Sequence, residues 1–369
     1  MTEKLYENAY LTEFDAQVLS CVLKNGMYEV VLDRTAFFPE GGGQPADEGF
    51  LDEQPVLDVQ ERDGVIFHTV EAPLTGTVHG EVFASIRYPR MQSHTGEHIV
   101  SGIVHKLYGY NNVGFHMADD CLMTVDFDGV LSEEQLAKVE HLANDAVCEN
   151  RKVTVTFPEH PETMTYRSKL DLVEGVRLVE IEDVDVCACC APHVSATGEV
   201  GLIKILSVSP HRGGSRITMR CGGGIYGDYS MLHRSATEIS RMLSVPREEI
   251  LSGAEKLCEE IQGLKAEISE LKEALAKATL AVSHIGAWTV GCLGDAGFDA
   301  LRTIINEMEG NVALFTEGGA YMLRGEGAGE LTKKINAAFS GKGGGKPNFT
   351  QGKCTATKDE ILAFFEEMK

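Results

Sequence analysis

The sequence has no long apolar run and no excess of positive charge. No stretch of about 18 apolar residues occurs in its 369 residues, so we expect no transmembrane helix. The opening residues, MTEKLYENAYLTEF, carry acids early and contain no apolar segment of signal-peptide length, so we expect a cytoplasmic protein. Acids outnumber bases by 56 to 33, and the formal net charge of −23 argues, taken alone, against a nucleic-acid partner.

Disulfide bonds are also unexpected. Ten cysteines in a cytoplasmic chain seldom pair, because that compartment keeps thiols reduced. Three of the cysteines, Cys187, Cys189 and Cys190, crowd together in one short stretch. A crowd of this kind is typical of metal binding or of reactive thiol chemistry.

One clear basic patch lies near the C-terminus of this otherwise acidic chain. Residues 331–353 contain five lysines and no acid. Within them, GKGGGKPNFTQG is predicted to be a glycine–lysine loop. It lacks the G-x-x-x-x-G-K-[ST] pattern of a P-loop, although its amides and lysines could still meet phosphates. The lysines are Lys333, Lys334, Lys342, Lys346 and Lys353.

Hydrophobic periodicity predicts an α+β chain of several domains. Residues 1–88 alternate apolar and polar positions, which is typical of a small antiparallel β-barrel or sandwich. Their glycine-rich stretch, FFPEGGGQPADEGF, either approaches another group closely or is a plain flexible loop. Residues 89–228 mix strands and helices, the first helix being predicted over 91–109. Residues 286–369 form a last small α/β domain, in which a helix is predicted to end at Gly341.

Residues 229–285 form a helical segment with a heptad seam. A turn at SVPREEI separates a first helix from a long second helix. The seam predicts a coiled-coil dimer or, because it covers only about three heptads, packing onto the protein's own body. The seam residues are Leu257, Ile261, Leu264, Ile268, Leu271 and Leu275.

Two pairs of candidate metal ligands stand far apart in the sequence. His94 and His98, in HTGEH, have the spacing that places both on one face of a helix. The same letters read H-x-x-E-H, the pattern of an inverted zinc peptidase in which Glu97 would be the general base. The stretch CACCAPHV adds Cys189 and His193 at the same spacing. Together these nitrogen and sulfur donors suit tetrahedral zinc.

Spacing alone does not decide which cysteine supplies the thiolate, because Cys187 and Cys190 compete with Cys189. A thiolate ligand donates charge to the metal and makes a metal-bound water less acidic. A peptidase would usually take a carboxylate as its third ligand and keep an open position for water. The cysteine therefore disfavours the peptidase and favours another zinc hydrolase.

The ordered motifs resemble those of one enzyme family. HTGEH followed by CCAPHVSATGEVGLIKILS is similar to the H-x3-H … C-x3-H-V … T-G-E-[IV]-G pattern of the alanyl-tRNA synthetase editing domain, which the free-standing AlaX-type trans-editing proteins share. FFPEGGGQPADEG resembles the glycine-rich loop of the barrel before that domain, and GGSRITMRCGGGIYGDY resembles the strand that ends it. The heptad helix and GKGGGKPNFTQG resemble the synthetase's C-terminal domain. Because no aminoacylation or ATP-binding motif precedes the barrel, the sequence looks like the long form of the trans-editing protein.

The resemblance implies a zinc-containing deacylase. It would hydrolyse the ester that links a wrong amino acid to tRNA(Ala), chiefly serine, with glycine as a second candidate. It implies an editing domain at residues 89–228, and tRNA binding and homodimer formation through the C-terminal region. The zinc ligands carried over by motif position are His94, His98, Cys189 and His193.

Two departures from the family pattern concern the substrate pocket. The second ligand pair is usually C-G-G-T-H, whereas this chain has CCAPH. A Gln-Lys-Gly stretch of the synthetase is replaced by VGFHMADD. We therefore expect an altered wall at Val113, Gly114, Phe115 and His116.

Candidate catalytic residues follow from the chemistry of an aminoacyl ester. A zinc with four protein ligands has no free position, so we expect it to shape the pocket and, after a ligand shift, to anchor the amino group or hydroxyl of the substrate, with attack by zinc-bound hydroxide as the alternative. Accepting serine while rejecting alanine requires a hydrogen bond to the serine hydroxyl, for which Thr95, Gln44 and His116 are candidates. Glu97 is expected to contact a metal ligand, with a general base or a solvated residue as alternatives. Arg216 and the five lysines are expected to meet phosphates.

Two other functions stay open on the sequence alone. A zinc metallopeptidase would cleave peptides and ignore tRNA. A non-catalytic tRNA-binding protein with structural zinc would bind tRNA(Ala) and leave the ester intact. A deacylation assay on several charged tRNAs distinguishes all three.

Overall fold

The computed structural model describes residues 1–168 and 175–368. The chain forms two compact units, Met1–Ser235 and Ala236–Lys369. Both units combine helices with sheets, which confirms the predicted α+β class. In the described part of the chain, no helix is long and apolar enough to cross a bilayer.

The first unit opens with short strands joined by turns. They are β1 (Glu3–Lys4), β2 (Glu13–Lys24), β3 (Met27–Leu32), β4 (Arg34–Thr35), β5 (Gly49–Leu51), β6 (Gln54–Val56), β7 (Asp58–Arg62), β8 (Val65–Val70) and β9 (Thr77–Val82). Seven of them form a near-barrel antiparallel sheet in the order β6-β5-β9-β2-β3-β8-β7. Every second side chain of β8 and β9 is buried, as expected for strands with one face in a core. This near-barrel sheet agrees with the prediction for the N-terminal region.

A buried helix carries the HTGEH motif. Helix α1 (Ala84–Tyr108) follows β9 and ends at Gly109, whose φ of 72° is the left-handed conformation typical of a helix C-terminus. Every residue from Ser93 to Val104 is buried. Because buried polar groups are unfavourable without partners, the polar side chains of this motif must find them inside the protein. The predicted helix over 91–109 is confirmed and begins earlier.

The rest of the first unit packs around α1. Its elements are β10 (Asn112–Met117), β11 (Met123–Phe127), α2 (Glu133–Cys148), β12 (Val153–Thr156), β13 (Leu178–Ile181), β14 (Asp185–Ala188), β15 (Ile203–His211) and β16 (Gly214–Cys221). The strands form a four-stranded sheet, β10-β11-β16-β15, and a three-stranded sheet, β12-β13-β14. Helix α1 contacts α2, β14 and β16. The approach to β14 requires Gly102, because a Cβ there would lie 2.7 Å from the Cβ of Asp185.

A buried ion pair joins α1 to the glycine-rich loop. Nε of Arg87 lies 2.9 Å and 2.8 Å from the two carboxylate oxygens of Asp47, and both residues are 1% exposed. Nη2 of Arg87 also donates to the carbonyl of Ala36 at 2.6 Å. One turn later, Nη1 of Arg90 donates to the carbonyl of Ala46 at 2.6 Å. These contacts hold the loop against the helix that carries the two histidines.

The second unit contains one mixed sheet with helices. The elements that complete the chain are α3 (Gly223–Leu243), α4 (Ile250–Thr279), β17 (Ala281–Ile285), β18 (Trp288–Leu293), α5 (Phe298–Glu307), β19 (Asn311–Thr316), β20 (Ala320–Arg324), α6 (Ala328–Ala338), β21 (Lys342–Lys346), β22 (Phe349–Lys353) and α7 (Lys358–Glu367). The strand order is β17-β18-β19-β20-β22-β21, and β18 and β19 are parallel because α5 connects them. The predicted sequence of helix, turn and long helix is confirmed by α3 and α4.

Two predictions for the second unit are wrong. GKGGGKPNFTQG is an antiparallel hairpin, β21 and β22, rather than a loop. The glycines of β21 suit it because the sheet is crowded there: a Cβ on Gly343 would lie 2.3 Å from the hydroxyl oxygen of Tyr321. Helix α6 ends at Ala338 rather than at Gly341, and the residue with positive φ is Ser340, at 49°.

Candidate metal centre

Four predicted ligands come together in the first unit. The donor atoms of His94 and His98 on α1, and of Cys189 and His193 after β14, all lie within 4.8 Å of one another. Sγ of Cys189 is 3.5 Å from Nε2 of His94 and 3.4 Å from Nε2 of His193. The three histidines are buried. This set of nitrogen and sulfur donors could hold a metal ion.

Each histidine has an oxygen beside its Nδ1 atom. Nδ1 of His94 lies 2.7 Å from Oε1 of Gln44, and Nδ1 of His193 lies 3.0 Å from Oγ1 of Thr95. Nδ1 of His98 is 3.4 Å from a carboxylate oxygen of Asp185. A proton on each Nδ1 leaves the lone pair on Nε2, which is the arrangement that a metal-binding histidine needs.

Asp185 is itself held by an arginine. Nε and Nη2 of Arg167 donate to its two carboxylate oxygens at 2.7 Å and 2.6 Å. Burial alone would raise the pKa of the Asp185 carboxyl, but Arg167 and His98 outweigh it and lower the pKa to about 2. Asp185 is therefore a fixed negative charge beside His98. His98, Asp185 and Cys187 form a second group that could hold a metal, although Arg167 already occupies both oxygens of Asp185.

The pKa shifts of Cys189 and His193 suit metal binding, whereas that of His98 does not: burial alone would lower the His98 pKa, but Cys187, Asp185 and Cys189 raise it well above its usual value, so a metal would displace a proton there. Burial alone would raise the pKa of the Cys189 thiol, but His94 and His193 lower it well below its usual range. Burial lowers the pKa of His193 to about 3, against the opposing effect of Cys189. A thiolate and a neutral imidazole are the forms in which these side chains ligate metals. By contrast, burial raises the pKa of the Cys187 and Cys190 thiols.

A cavity of about 1070 Å³ opens beside this cluster. It lies between the glycine-rich loop, α1, the start of β10 and the segment from β13 to Ala191. Its size is that of a site for a small molecule or the end of a larger one. The residues that line it include three of the four candidate ligands and their neighbours: His94, Glu97, His98, Phe115, Arg177 and Cys189.

Glu97 is a buried carboxylate at the edge of the metal face. Its Oε1 accepts hydrogen bonds from the hydroxyl of Ser101 and from Nδ2 of Asn112, the second at 2.5 Å. Its Oε2 lies 3.9 Å from Nε2 of His98. Glu97 thus has its own hydrogen-bond network and also approaches a ligand. Its burial, 3% exposed, speaks against the solvated alternative.

Other predicted site residues lie elsewhere. His116 is exposed on β10 and does not line the cavity. Its neighbour Phe115 does, and the Phe115 ring contacts that of His94 in a tilted arrangement with centroids 5.0 Å apart. Successive strand residues face opposite sides, which separates the two. Arg216 is on β16, where Nε and Nη2 donate to the carboxylate of Asp126 at 2.6 Å and 2.8 Å. The five lysines are exposed in the second unit, and Lys333 pairs with Glu330 at 2.8 Å.

Sequence reasoning missed three charged residues of the site, Arg167, Arg177 and Asp185. Their partners are distant in the chain or are backbone carbonyls, so no local pattern marks them. One signal was available for Asp185: in VDVCACC, an acid interrupts an apolar strand just before the cysteines. A charged residue in a strand that reads as buried requires a partner.

Known proteins match this chain along most of its length. Residues 176–218 match the family model of the threonyl and alanyl tRNA synthetase second additional domain, and residues 5–86 match that of class II (A) tRNA synthetases. The alanyl-tRNA editing protein AlaX-L of Pyrococcus horikoshii is 30% identical, over 98% of this chain and 97% of that protein. Alanine–tRNA ligases of Pyrococcus furiosus and Thermococcus kodakarensis are 32% and 33% identical over 94% of this chain. The chain spans 41% of the length of each ligase.

Proposed function

The chain belongs to the alanyl-tRNA editing protein family, and on that premise we propose that it deacylates mischarged tRNA(Ala), chiefly Ser-tRNA(Ala), with Gly-tRNA(Ala) as a second substrate. The observation that carries the proposal is the buried set of His94, His98, Cys189 and His193 at the wall of a cavity. These are the positions at which the sequence matches the editing motif. The activity belongs in the cytoplasm, where tRNA is charged.

Zinc is the metal that we propose for the site. Three imidazole nitrogens and one thiolate sulfur suit tetrahedral zinc, and the lowered pKa values of the Cys189 thiol and of His193 fit it. When bound, zinc would supply a positive centre that anchors the amino group or the hydroxyl of the amino acid after one protein ligand shifts away. Four protein ligands leave no position for water, which supports an anchoring role over attack by zinc-bound hydroxide.

The protein's own residues then orient the site and discriminate the substrate. Thr95 and Gln44 hold His193 and His94, so their first role is to orient ligands. Gln44 keeps one unused donor, because its buried Nε2 has no hydrogen-bond partner. We assign to this donor the hydrogen bond that distinguishes serine from alanine, a contact that requires the Gln44 side chain to shift because Gln44 does not line the cavity. Glu97, held by Ser101 and Asn112, positions the ligand His98 beside it.

The tRNA body would be bound outside the cavity. We assign residues 89–228 to the editing domain, 1–88 to the barrel that supplies its loop, and 286–369 to tRNA binding. Lys342 and Lys353 support the last assignment, because they are opposite each other on β21 and β22 and both are exposed. Arg216 is a weaker candidate, since Asp126 already compensates its charge.

The heptad seam of α4 supports a homodimer. Its six apolar side chains are each 42% to 61% exposed, which is unfavourable for a helix that stays alone in water. A second copy of the same seam would cover them. Light scattering on the full chain should give a dimer mass, and the double variant Leu264→Glu/Leu271→Glu should give a monomer mass. An unchanged mass in the variant would place the contact elsewhere or show that no dimer forms.

One assay tests the proposed activity. Purified protein is incubated with Ser-, Gly- and Ala-tRNA(Ala), and release of the amino acid is measured over time. We expect serine to be released while alanine stays attached. Equal rates for serine and alanine would refute the substrate assignment. Binding of tRNA without release would favour the non-catalytic alternative, and cleavage of peptides with no effect on charged tRNA would favour the peptidase.

A further inference from the structure

Arg177 is a buried cation in the wall of the cavity. It precedes β13, is 6% exposed and lines the cavity with Cys189. Its Nη1 donates to the backbone carbonyls of Cys189 and Ala191 at 2.7 Å and 3.0 Å. The amide of Cys189 donates in return to the carbonyl of Arg177 at 3.1 Å. Arg177 therefore lies directly against the segment that carries the thiolate ligand.

The described residues supply no counter-charge to this guanidinium. Within residues 1–168 and 175–368, no carboxylate forms a salt bridge with Arg177, and its buried Nε has no hydrogen-bond partner. Two other cations that line the cavity are paired: Lys4 with Glu61 at 2.7 Å, and Arg167 with Asp185 at 2.6 Å. A buried charge without a counter-charge is unfavourable. The same charge becomes favourable when an anion enters.

We propose that Arg177 binds the phosphate of the substrate that is joined to the terminal nucleoside, on its 5′ side. This inference rests on the proposed function. In an aminoacyl ester the carboxyl group of the amino acid is consumed, so the anionic groups of the substrate are its phosphodiesters, and this phosphate is the nearest to the ester. Nη2 is the terminal nitrogen of the guanidinium that the Cys189 and Ala191 carbonyls do not use. A charged N–H donor of this kind forms a short, strong hydrogen bond with a phosphate oxygen.

The phosphate contact would also position the ester. The same guanidinium would touch the phosphate on one edge and the segment of Cys189 on the other, so the terminal nucleotide would be held at a set distance from the metal ligands. A substrate that lacks this phosphate should therefore react less efficiently. Arg177 is thus a positioning residue that contacts the acceptor end of the tRNA and not the amino acid.

The test compares two substrates in one variant. Seryl-adenosine has the ester and the terminal nucleoside but no phosphate, whereas Ser-tRNA(Ala) has both. For the wild type and for Arg177→Gln, kcat/KM is measured on each, and the ratio of the tRNA value to the adenosine value is taken. We expect the ratio to fall about 10-fold to 100-fold in the variant, chiefly through KM, as for loss of a charge-assisted pair. The control is Lys106→Gln, which removes an exposed cation of the same cavity and should leave the ratio within about twofold.

A purely structural role gives a different result. If Arg177 only shapes the Cys189 segment, both substrates lose activity in parallel, the ratio stays constant and bound zinc decreases; that outcome overturns the proposal. Calorimetry with adenosine 5′-monophosphate and adenosine supplies a readout that needs no turnover. The wild type should bind the monophosphate at least 10-fold more tightly, and Arg177→Gln should lose this preference. Equal affinities in the wild type would refute the phosphate site, whereas absence of deacylation with this preference intact would refute the proposed activity alone.

Discussion

Oε1 of Gln44 lies 2.7 Å from Nδ1 of His94. The two residues are 50 positions apart, one in the glycine-rich loop and the other on α1. Arg87 and Arg90 bind Asp47 and Ala46 of the same loop to the same helix, and these contacts help to keep Gln44 beside His94. The glycine-rich loop thus determines which nitrogen of a helical histidine is free to bind a metal.

Replacing Gln44 by Leu should weaken metal binding. The variant removes the acceptor of the His94 Nδ1 proton, so the ring is free to adopt the wrong tautomer or to rotate. We expect zinc affinity to fall about 10-fold to 100-fold, the usual effect of losing such a contact. Competition with a chromophoric chelator measures it. Gln60→Leu is the control, because the Gln60 side chain donates to Glu40 and Asp58 and not to a metal ligand of the described site; equal affinities in the two variants would contradict the role of Gln44.

Replacing His98 by Ala should remove the metal. His98 is one of four donors within 4.8 Å, and three remaining ligands bind zinc much more weakly. Elemental analysis of the purified variant should show a zinc content well below one per chain. His141→Ala, at a position 78% exposed on α2, should keep the wild-type content. An unchanged zinc content in His98→Ala would remove His98 from the ligand set.

Replacing Glu97 by Gln should spare most activity. The glutamine keeps a carbonyl oxygen for Ser101 and Asn112, so the site keeps its shape. If Glu97 orients His98, deacylation of Ser-tRNA(Ala) should fall less than about tenfold. A general base contributes typically about 10²-fold to 10⁴-fold, and a loss of that size would restore the role that H-x-x-E-H first suggested.

Replacing either of two adjacent glycines by alanine should destabilise the protein, but to different extents. At Gly43, φ is +85°, and an added Cβ would lie 2.3 Å from the carbonyl oxygen of Phe115. An alanine there would therefore force the loop and β10 to move apart. At Gly42, φ is +61° and no atom lies within 4 Å of the added Cβ. We expect Gly42→Ala to reduce the free energy of unfolding by about 1 kcal/mol, and Gly43→Ala to reduce it by roughly 2 kcal/mol or more. Urea denaturation measures both, and equal losses would refute the close contact with Phe115.

His68 should make the free energy of unfolding depend on pH. Burial lowers its pKa from 6.5 to about 4, and as a neutral ring it donates from Nδ1 to the Val30 carbonyl and accepts at Nε2 from Thr35. Between these two pKa values the unfolded chain binds a proton that the folded chain does not. The free energy of unfolding therefore falls as pH decreases from about 6.5 towards 4, by up to ~1.4 kcal/mol per pH unit from this residue.

Urea denaturation at pH 7 and pH 5 checks this dependence. His68→Gln cannot titrate, so its loss of stability between the two pH values should be ~1 to 2 kcal/mol smaller than that of the wild type. The other histidines contribute equally to both proteins. A loss of the same size in the variant would show that His68 does not cause the effect.

The sequence predicted the ligands better than their surroundings. The two pairs of donors follow from spacing, and motif position selected Cys189, which the structure brings within 3.5 Å of two histidines. The partners of Asp185 and Arg177 could not be predicted, because they are set by how α1, β14 and the segment after it pack. GKGGGKPNFTQG was predicted as a loop because glycine has a low strand propensity, and pairing with β22 overrides that preference.

The candidate metal ligands come from distant parts of the chain, so the stability of the folded protein should depend on how much metal is available. His94 and Cys189 are 95 residues apart, so a bound ion would cross-link two segments that separate when the first unit unfolds. The unfolded chain has no such arrangement of donors, and the ion therefore adds its binding free energy to the stability of the folded state alone. At a free concentration 100 times Kd, this addition is about 2.7 kcal/mol. Scarcity of metal would thus reduce the amount of folded protein as well as its activity.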